Sequence, residues 1–136
     1  MNILVDTSAF IAWFNKNDRY HPEAQRVLDD IKTGRLHLTR FVVTDYIVDE
    51  TLTFLERVTR DHDLAVEVGD AILNSSYVHM EQVNQEIFNK SYQRFKANKG
   101  LSFTDCTSME TMDRLGVTTV FTFDAHFKQA GYASIP

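Results

Sequence analysis

The chain has 136 residues, 43% of them apolar and 24% charged, with a net charge of −5 at neutral pH. These values suit a folded unit with a substantial core and exclude wholesale disorder. The acidic balance excludes a protein that coats nucleic acid through a broad basic surface. It leaves room for a nuclease, because carboxylates that gather divalent cations make the field at their own site far less negative.

Asn2–Asp6 reads as a first strand and Ser8–Asn15 as a short helix. Pro22 suits the first turn of a second helix, which runs to about Lys32 and stops before Gly34. Leu36–Thr39 has a weak strand pattern. Thr44 is placed to cap a long helix that ends near Arg60. Asp63–Asn74 forms another helix, and Tyr77–Met80 a short strand. Asn84–Asn98 is helical and closes at Gly100. Ser102 or Thr104 caps the next helix, whose end is marked by Gly116. Thr118–Phe123 is a β-branched and aromatic strand, and Ala125–Ala130 supplies a last helical turn or two before Gly131.

No repeat, low-complexity tract or Pro/Gly-rich linker divides these elements, so residues 1–136 are expected to form one domain. Strands alternating with helices predict an α/β fold with a parallel sheet and helices on both faces. Its connections should be right-handed. No apolar run approaches a membrane span, and the first residues lack the basic start and cleavage site of a secretory leader. A cytoplasmic protein without membrane contact is the expectation. The lone Cys106 excludes an internal disulfide and a cysteine-based zinc site, and a small buried thiol is the simplest reading of it.

Four carboxylates stand in unusual places. Asp6 follows the core strand Ile3–Val5 directly, where burial penalises a charge by several kcal/mol unless it is compensated. Asp124 follows "TTVFTFD", and Thr122, two residues earlier, points the same way in an extended chain. Ligands of open α/β sheets bind beyond the carboxyl ends of the strands, where both acids would lie. In "TDYIVDETLTFLERV", Ile47, Thr51, Phe54, Leu55 and Val58 mark an inward helical face. Glu50 falls on the edge of that stripe, whereas Asp45, Asp49 and Glu56 fall on the opposite, solvated side. Asp105 shares a line with Met109 and Met112 and lies in a first helical turn, where the dipole favours an anion.

Each acid has a plain structural explanation. Asp6 and Asp105 could cap helices, Glu50 could pair with a buried cation, and Asp124 could start the "DAHF" turn. That explanation must be invoked four times, and all four acids can converge at one edge of one sheet. A carboxylate cluster without a cation repels itself. Mg²⁺ or Mn²⁺ resolves the repulsion, because hard cations prefer oxygen ligands.

The five histidines are scattered without helical pair spacing, which argues against zinc; His126 follows the pocket closely and could touch substrate, but is read first as a surface residue. Lys90, Arg94, Lys96 and Lys99 form the clearest basic group and fit a solvated helix face. Lys16, Arg19, Arg40 and Lys128 follow element ends and are candidates for a groove mouth. Trp13, Phe14 and Tyr20 are read as core or dimer surface before base stacking.

The order "LVDTSAFIAWF", "VTDYIVDETLTFL", "LSFTDCTSME", "TTVFTFDAHF" resembles the PIN-domain nucleases, in particular the small single-domain toxins of VapBC toxin–antitoxin modules. The resemblance implies a three-layer α/β/α sandwich with a mainly parallel central sheet and an acidic pocket. It implies metal-dependent hydrolysis of RNA phosphodiesters, leaving 5′-phosphate and 3′-hydroxyl ends, with Mg²⁺ or Mn²⁺ as cofactor. It assigns Asp6, Asp105 and Asp124 as metal ligands and Glu50 as a ligand, direct or through water. Polar neighbours would be Thr7 or Ser8, Thr104 and Thr122. Implied partners are an RNA substrate, a small antitoxin and a second copy in a homodimer. A housekeeping PIN-type RNA-processing nuclease would carry the same acids, and a non-catalytic RNA- or protein-binding module would use them structurally. A haloacid-dehalogenase-type phosphatase fits less well, because Asp-x-Asp is missing after the first strand. Dinucleotide and P-loop motifs are absent.

Overall fold

The computed structural model describes residues 1–136. Its elements are β1 (Asn2–Val5), α1 (Thr7–Phe14), α2 (His21–Lys32), β2 (Arg40–Thr44), α3 (Asp45–Thr59), α4 (His62–Leu73), β3 (Val78–Glu81), α5 (Gln85–Ala97), α6 (Phe103–Leu115), β4 (Thr119–Phe121), α7 (Ala125–Gln129) and β5 (Ala133–Ile135). Five parallel strands lie in the order β3-β2-β1-β4-β5. The chain builds outward from β1 to β3, then crosses back to add β4 and β5 on the other side. The strand order therefore reverses at the β1/β4 boundary, and an open α/β sheet has its ligand crevice there, at the strands' carboxyl ends.

Parallel strands are covered on both faces and so read as continuous apolar runs rather than alternations. Ile3, Leu4 and Val5 of β1 are wholly buried, as are Val120 and Phe121 of β4. This rule explains one misplaced expectation. The second strand is Arg40–Thr44, in register Ile3↔Phe41, and Leu36–Thr39 is an irregular approach to it. Phe41, Val42 and Val43 are the buried run, while Leu36 and Leu38 only pack against its margin. β5 has three residues and too little pattern to be found without its partner β4. β3 runs one residue later than expected, and β1 stops at Val5, leaving Asp6 outside the ladder.

The helix caps follow the local chemistry. Thr44 Oγ1 accepts from Ile47 N at 3.0 Å, and the α6 cap is Ser102 rather than Thr104. Gly116 closes α6 at φ 67°, a left-handed conformation that glycine adopts without steric cost. α3 departs from its expected inward face. Ile47, Thr51 and Leu55 are buried together with Val48, but Phe54 and Val58 are 39% and 52% exposed. Asp45, expected to be solvated, is half-buried and accepts from Val83 N at 2.8 Å. The core proper is a cluster of 25 buried apolar residues that includes Met109 and Met112 of α6. No helix is long and apolar enough to cross a membrane.

Arg94 corrects the reading of α5 as a solvated basic face. Its Nε donates to Glu110 Oε1 at 2.8 Å and its Nη2 to Asp113 Oδ2 at 2.7 Å, tying α5 to α6. Tyr132 Oη donates to the other oxygen of Asp113 at 2.7 Å, adding the segment before β5. With its side chain 22% exposed, Arg94 is a structural cation. Removing it strands Glu110, which is 17% exposed. Arg94→Ala should lower unfolding free energy by about 2 kcal/mol, read by urea denaturation, and leave RNA affinity of the folded protein unchanged.

Candidate active site

Asp6 stands at the carboxyl end of β1 and occupies the N-cap position of α1, yet its side chain caps nothing. Its carboxylate is held from its own side by Ser8 of α1 and from the neighbouring strand end by Thr122. Ser8 Oγ donates to Asp6 Oδ2 at 2.8 Å and Thr122 Oγ1 donates to the same oxygen at 2.9 Å. Those hydroxyls are fixed in turn, since Phe123 N donates to Ser8 Oγ and Asp124 N to Thr122 Oγ1, each at 3.0 Å. Both bonds converge on Oδ2 and leave Oδ1 for the cleft. Burial pushes the Asp6 carboxyl up from 3.8 to about 6; the Ser8 and Thr122 bonds oppose this, and the charges of Asp105 and Glu50 add to it.

Asp105 serves two roles at once. It completes a capping box with Ser102, giving and receiving bonds of 3.0 and 3.3 Å, and it is only 8% exposed at the cleft. Burial raises its pKa, and the charge of Asp124 raises it further, against the Ser102 hydrogen bonds and His126. Asp124 accepts from His126 N at 2.9 Å and so starts α7, as the turn reading expects. For these two acids the capping reading holds, and the same residues also line the cleft. Glu50 reaches the cleft from α3, half-buried.

All four acids line one cleft of about 810 Å³, together with Thr7, Ser8 and Thr104. Thr122 lies just beneath, through its bond to Asp6. No lysine or arginine pairs with any of the four acids. Thr7 Oγ1 is buried without a hydrogen-bond partner, in a residue 8% exposed that lines the cleft. Acids crowded without a protein cation, beside an orphaned hydroxyl, fit a hard divalent ion with its waters.

The tightest group is Asp105, Asp124 and His126, whose ligand atoms all lie within 4.8 Å of one another. His126 therefore stands with these acids at the cleft, where the sequence reading preferred a surface residue. Beside the expected Glu50, the cleft holds residues of α3 that the sequence reading did not place there. Tyr46, Asp49, Glu50, Thr53, Phe54 and Arg57 form one lining stripe along α3. Their spacing of three and four was the available signal. Asp49, expected on the solvated side, belongs to this stripe because the cleft and not bulk solvent faces that side of α3. Of the four candidate mouth cations only Arg19 lines the cleft. Lys16 borders a separate cavity, Arg40 starts β2 at the far edge of the sheet, and Lys128 is exposed on α7. Tyr20 packs against the core, as its core reading expects, and also lines the cleft. Its ring stacks on Phe123 at 4.7 Å in the cleft wall, under the Arg19 guanidinium at 4.8 Å. Trp13 and Phe14 stack on each other at 4.9 Å beside the core.

A five-stranded parallel sheet with an acidic cleft over its switch point defines the architecture of a PIN domain. The PIN domain family model matches residues 3–132, and the chain belongs to that family. It is 29% identical over 132 residues to a VapC ribonuclease of Archaeoglobus fulgidus, an alignment covering 93% of this chain and 80% of the relative. It superposes on the crystal structure of Mycobacterium tuberculosis VapC20, a Sarcin-Ricin loop cleaving toxin, with a TM-score of 0.86, 27% identity and 96% of each chain covered.

The raised pKa of Asp6 has a consequence for the metal-free protein. An unfolded chain loses this proton near 3.8, whereas the folded one holds it to about 6. The folded state binds more protons in that window, so stability should fall as pH rises through it and level off above. The loss is on the order of 3 kcal/mol. Asp6→Asn should therefore be more stable than wild type at neutral pH without metal and lose that advantage below about pH 4. Denaturation across pH in a chelator checks this.

Proposed function

We propose that this chain is a divalent-metal-dependent endoribonuclease of the VapC type, the toxin of a toxin–antitoxin pair, working in the cytoplasm as a single catalytic domain of residues 1–136. The observation that carries the chemistry is the convergence of four acids from β1, α3, α6 and the β4–α7 junction on one cleft without a paired lysine or arginine. The toxin role, as against housekeeping RNA processing, is supported by the activities of both relatives, a VapC ribonuclease and a Sarcin-Ricin loop cleaving toxin.

Asp6, Asp105 and Asp124 would hold Mg²⁺ or Mn²⁺, with Glu50 as a ligand directly or through water. When bound, such an ion polarises a phosphoryl oxygen and lowers the pKa of water. Ser8 and Thr122 keep the Asp6 carboxylate pointed at the cleft, so the site is formed before RNA arrives. Glu50 accepts a hydrogen bond from the attacking water and so orients it. The water oxygen then forms a bond to phosphorus while the bond to the 3′ oxygen breaks, leaving a 5′-phosphate and a 3′-hydroxyl. Arg19 and Arg57 meet phosphates on either side of the reacting one. The Tyr20–Phe123 stack offers an aromatic face to an unpaired base. A small antitoxin would block the cleft, and a homodimer is the expected assembly.

Incubation with mixed tRNA and rRNA should give Mn²⁺- or Mg²⁺-dependent cleavage with 5′-phosphate products. Asp6→Asn should reduce it by about 100-fold or more, since even supporting residues of metal sites cost 10–100-fold. Mn²⁺ should also raise the melting temperature of the wild-type protein, because an ion that binds the native state stabilises it. Cleavage that persists in a chelator, or no cleavage together with no metal-dependent change in melting, would return the four acids to structural roles.

A further inference from the structure

His126 is the one non-carboxylate group in the tight cluster, and its geometry is unlike that of an ordinary ion pair. Its Nδ1 stands 3.0 Å from Asp124 Oδ1 and 3.7 Å from Asp105 Oδ2. The atom is shielded from solvent and has no hydrogen-bond partner, although both carboxylates are within ion-pair distance. A shielded ring nitrogen left without a hydrogen bond beside two carboxylate oxygens is placed to share a ligand with them. Ligands about 2.1 Å from a six-coordinate ion stand about 3 Å apart when adjacent and about 4.2 Å apart when opposite. The His126 Nδ1 distances of 3.0 and 3.7 Å fall in that range, and all three ligand atoms lie within 4.8 Å of one another.

The backbone holds His126 in this position independently of any ion. Asp124 Oδ1 accepts the His126 N–H at 2.9 Å, and Phe127, the next residue, is wholly buried in the core. The side chain two residues beyond the strand-end acid is thereby turned back toward it. The orphaned Thr7 hydroxyl in the same cleft separately calls for a ligand or a water from the cleft side.

We propose that His126 supplies, through Nδ1, a nitrogen ligand of the cation alongside Asp105 and Asp124, and that this nitrogen turns the site's preference from Mg²⁺ toward a first-row transition ion. The inference rests on the reading of the cleft as a divalent-cation site. Oxygen-only sites suit Mg²⁺, whereas imidazole is the ligand of first-row transition metals, and a neutral imidazole adds no charge to offset the cost of stripping water from Mg²⁺. Nε2 then carries the ring proton.

The test is pulsed electron paramagnetic resonance of Mn²⁺ added below one equivalent to the full chain at about pH 8, where an ordinary imidazole is neutral. Wild type should display nitrogen modulation of the Mn²⁺ signal that shifts when histidine is labelled with ¹⁵N. His126→Gln should lack it, bind Mn²⁺ about 10-fold or more weakly, and bind Mg²⁺ with little change. Tightly bound Mn²⁺ without nitrogen modulation in wild type would overturn the assignment while leaving the cation site intact. Equal weakening of Mn²⁺ and Mg²⁺ in His126→Gln would overturn the selectivity claim. No Mn²⁺ binding by wild type would overturn the cation site itself, and this inference with it. The wild-type spectrum decides the ligand even if the variant folds poorly.

Discussion

Everything about the cleft depends on one electrostatic constraint: carboxylates held close together, partly out of water, with no lysine or arginine between them. Asp6 and Asp105 both resist ionisation, chiefly through burial, then through the charges of Asp105 and Glu50 for Asp6 and of Asp124 for Asp105. A fold seeking stability alone would place a guanidinium there, as this one does where Arg94 joins Glu110 and Asp113. The contrast between the two acidic groups separates a structural ion pair from a cluster left without a lysine or arginine.

The sheet makes that arrangement tolerable. β1 and β4 are hydrogen-bonded neighbours, in register Val5↔Phe121, so the residues that follow them rise side by side at the switch point. Ser8 and Thr122 bridge the gap with hydroxyls that each donate to Asp6 and accept from a backbone N–H. Each brace is therefore fully used, which fixes the carboxylate without adding a charge. The capping box at Asp105 and the turn at Asp124 work in the same way. Groups that terminate helices also present an oxygen to the cleft, so local folding and site assembly share atoms.

Around this centre the wall changes character. Arg19, Tyr20 and Phe123 stack on one side, and the α3 stripe ending at Arg57 forms another. Phe54 stays 39% exposed because it faces the cleft rather than the core. An acidic floor with cationic and aromatic walls suits a polyanion that is drawn in by its backbone phosphates and held by its bases. The net charge of the chain, −5, gives no hint of such local contrast.

Strand-end placement made Asp6 and Asp124 legible from sequence, and helical spacing did the same for Glu50 and Asp105. Caps at Thr44 and Gly116 were equally legible, because all of these depend on a few neighbouring residues. Other features were set by packing between distant segments. β5 exists only through pairing with β4. The side of α3 that carries Asp49 and Arg57 faces a cleft because β1, α6 and α7 close around it. His126 lies two residues from Asp124, but its other partner, Asp105, is on α6, and only the crossover from α6 through β4 sets the three within 4.8 Å. Sequence by itself determined which groups could bind a cation, since that depends on side-chain chemistry and local backbone preference. Only the tertiary structure decided which of them meet, since that depends on the order of strands in the sheet.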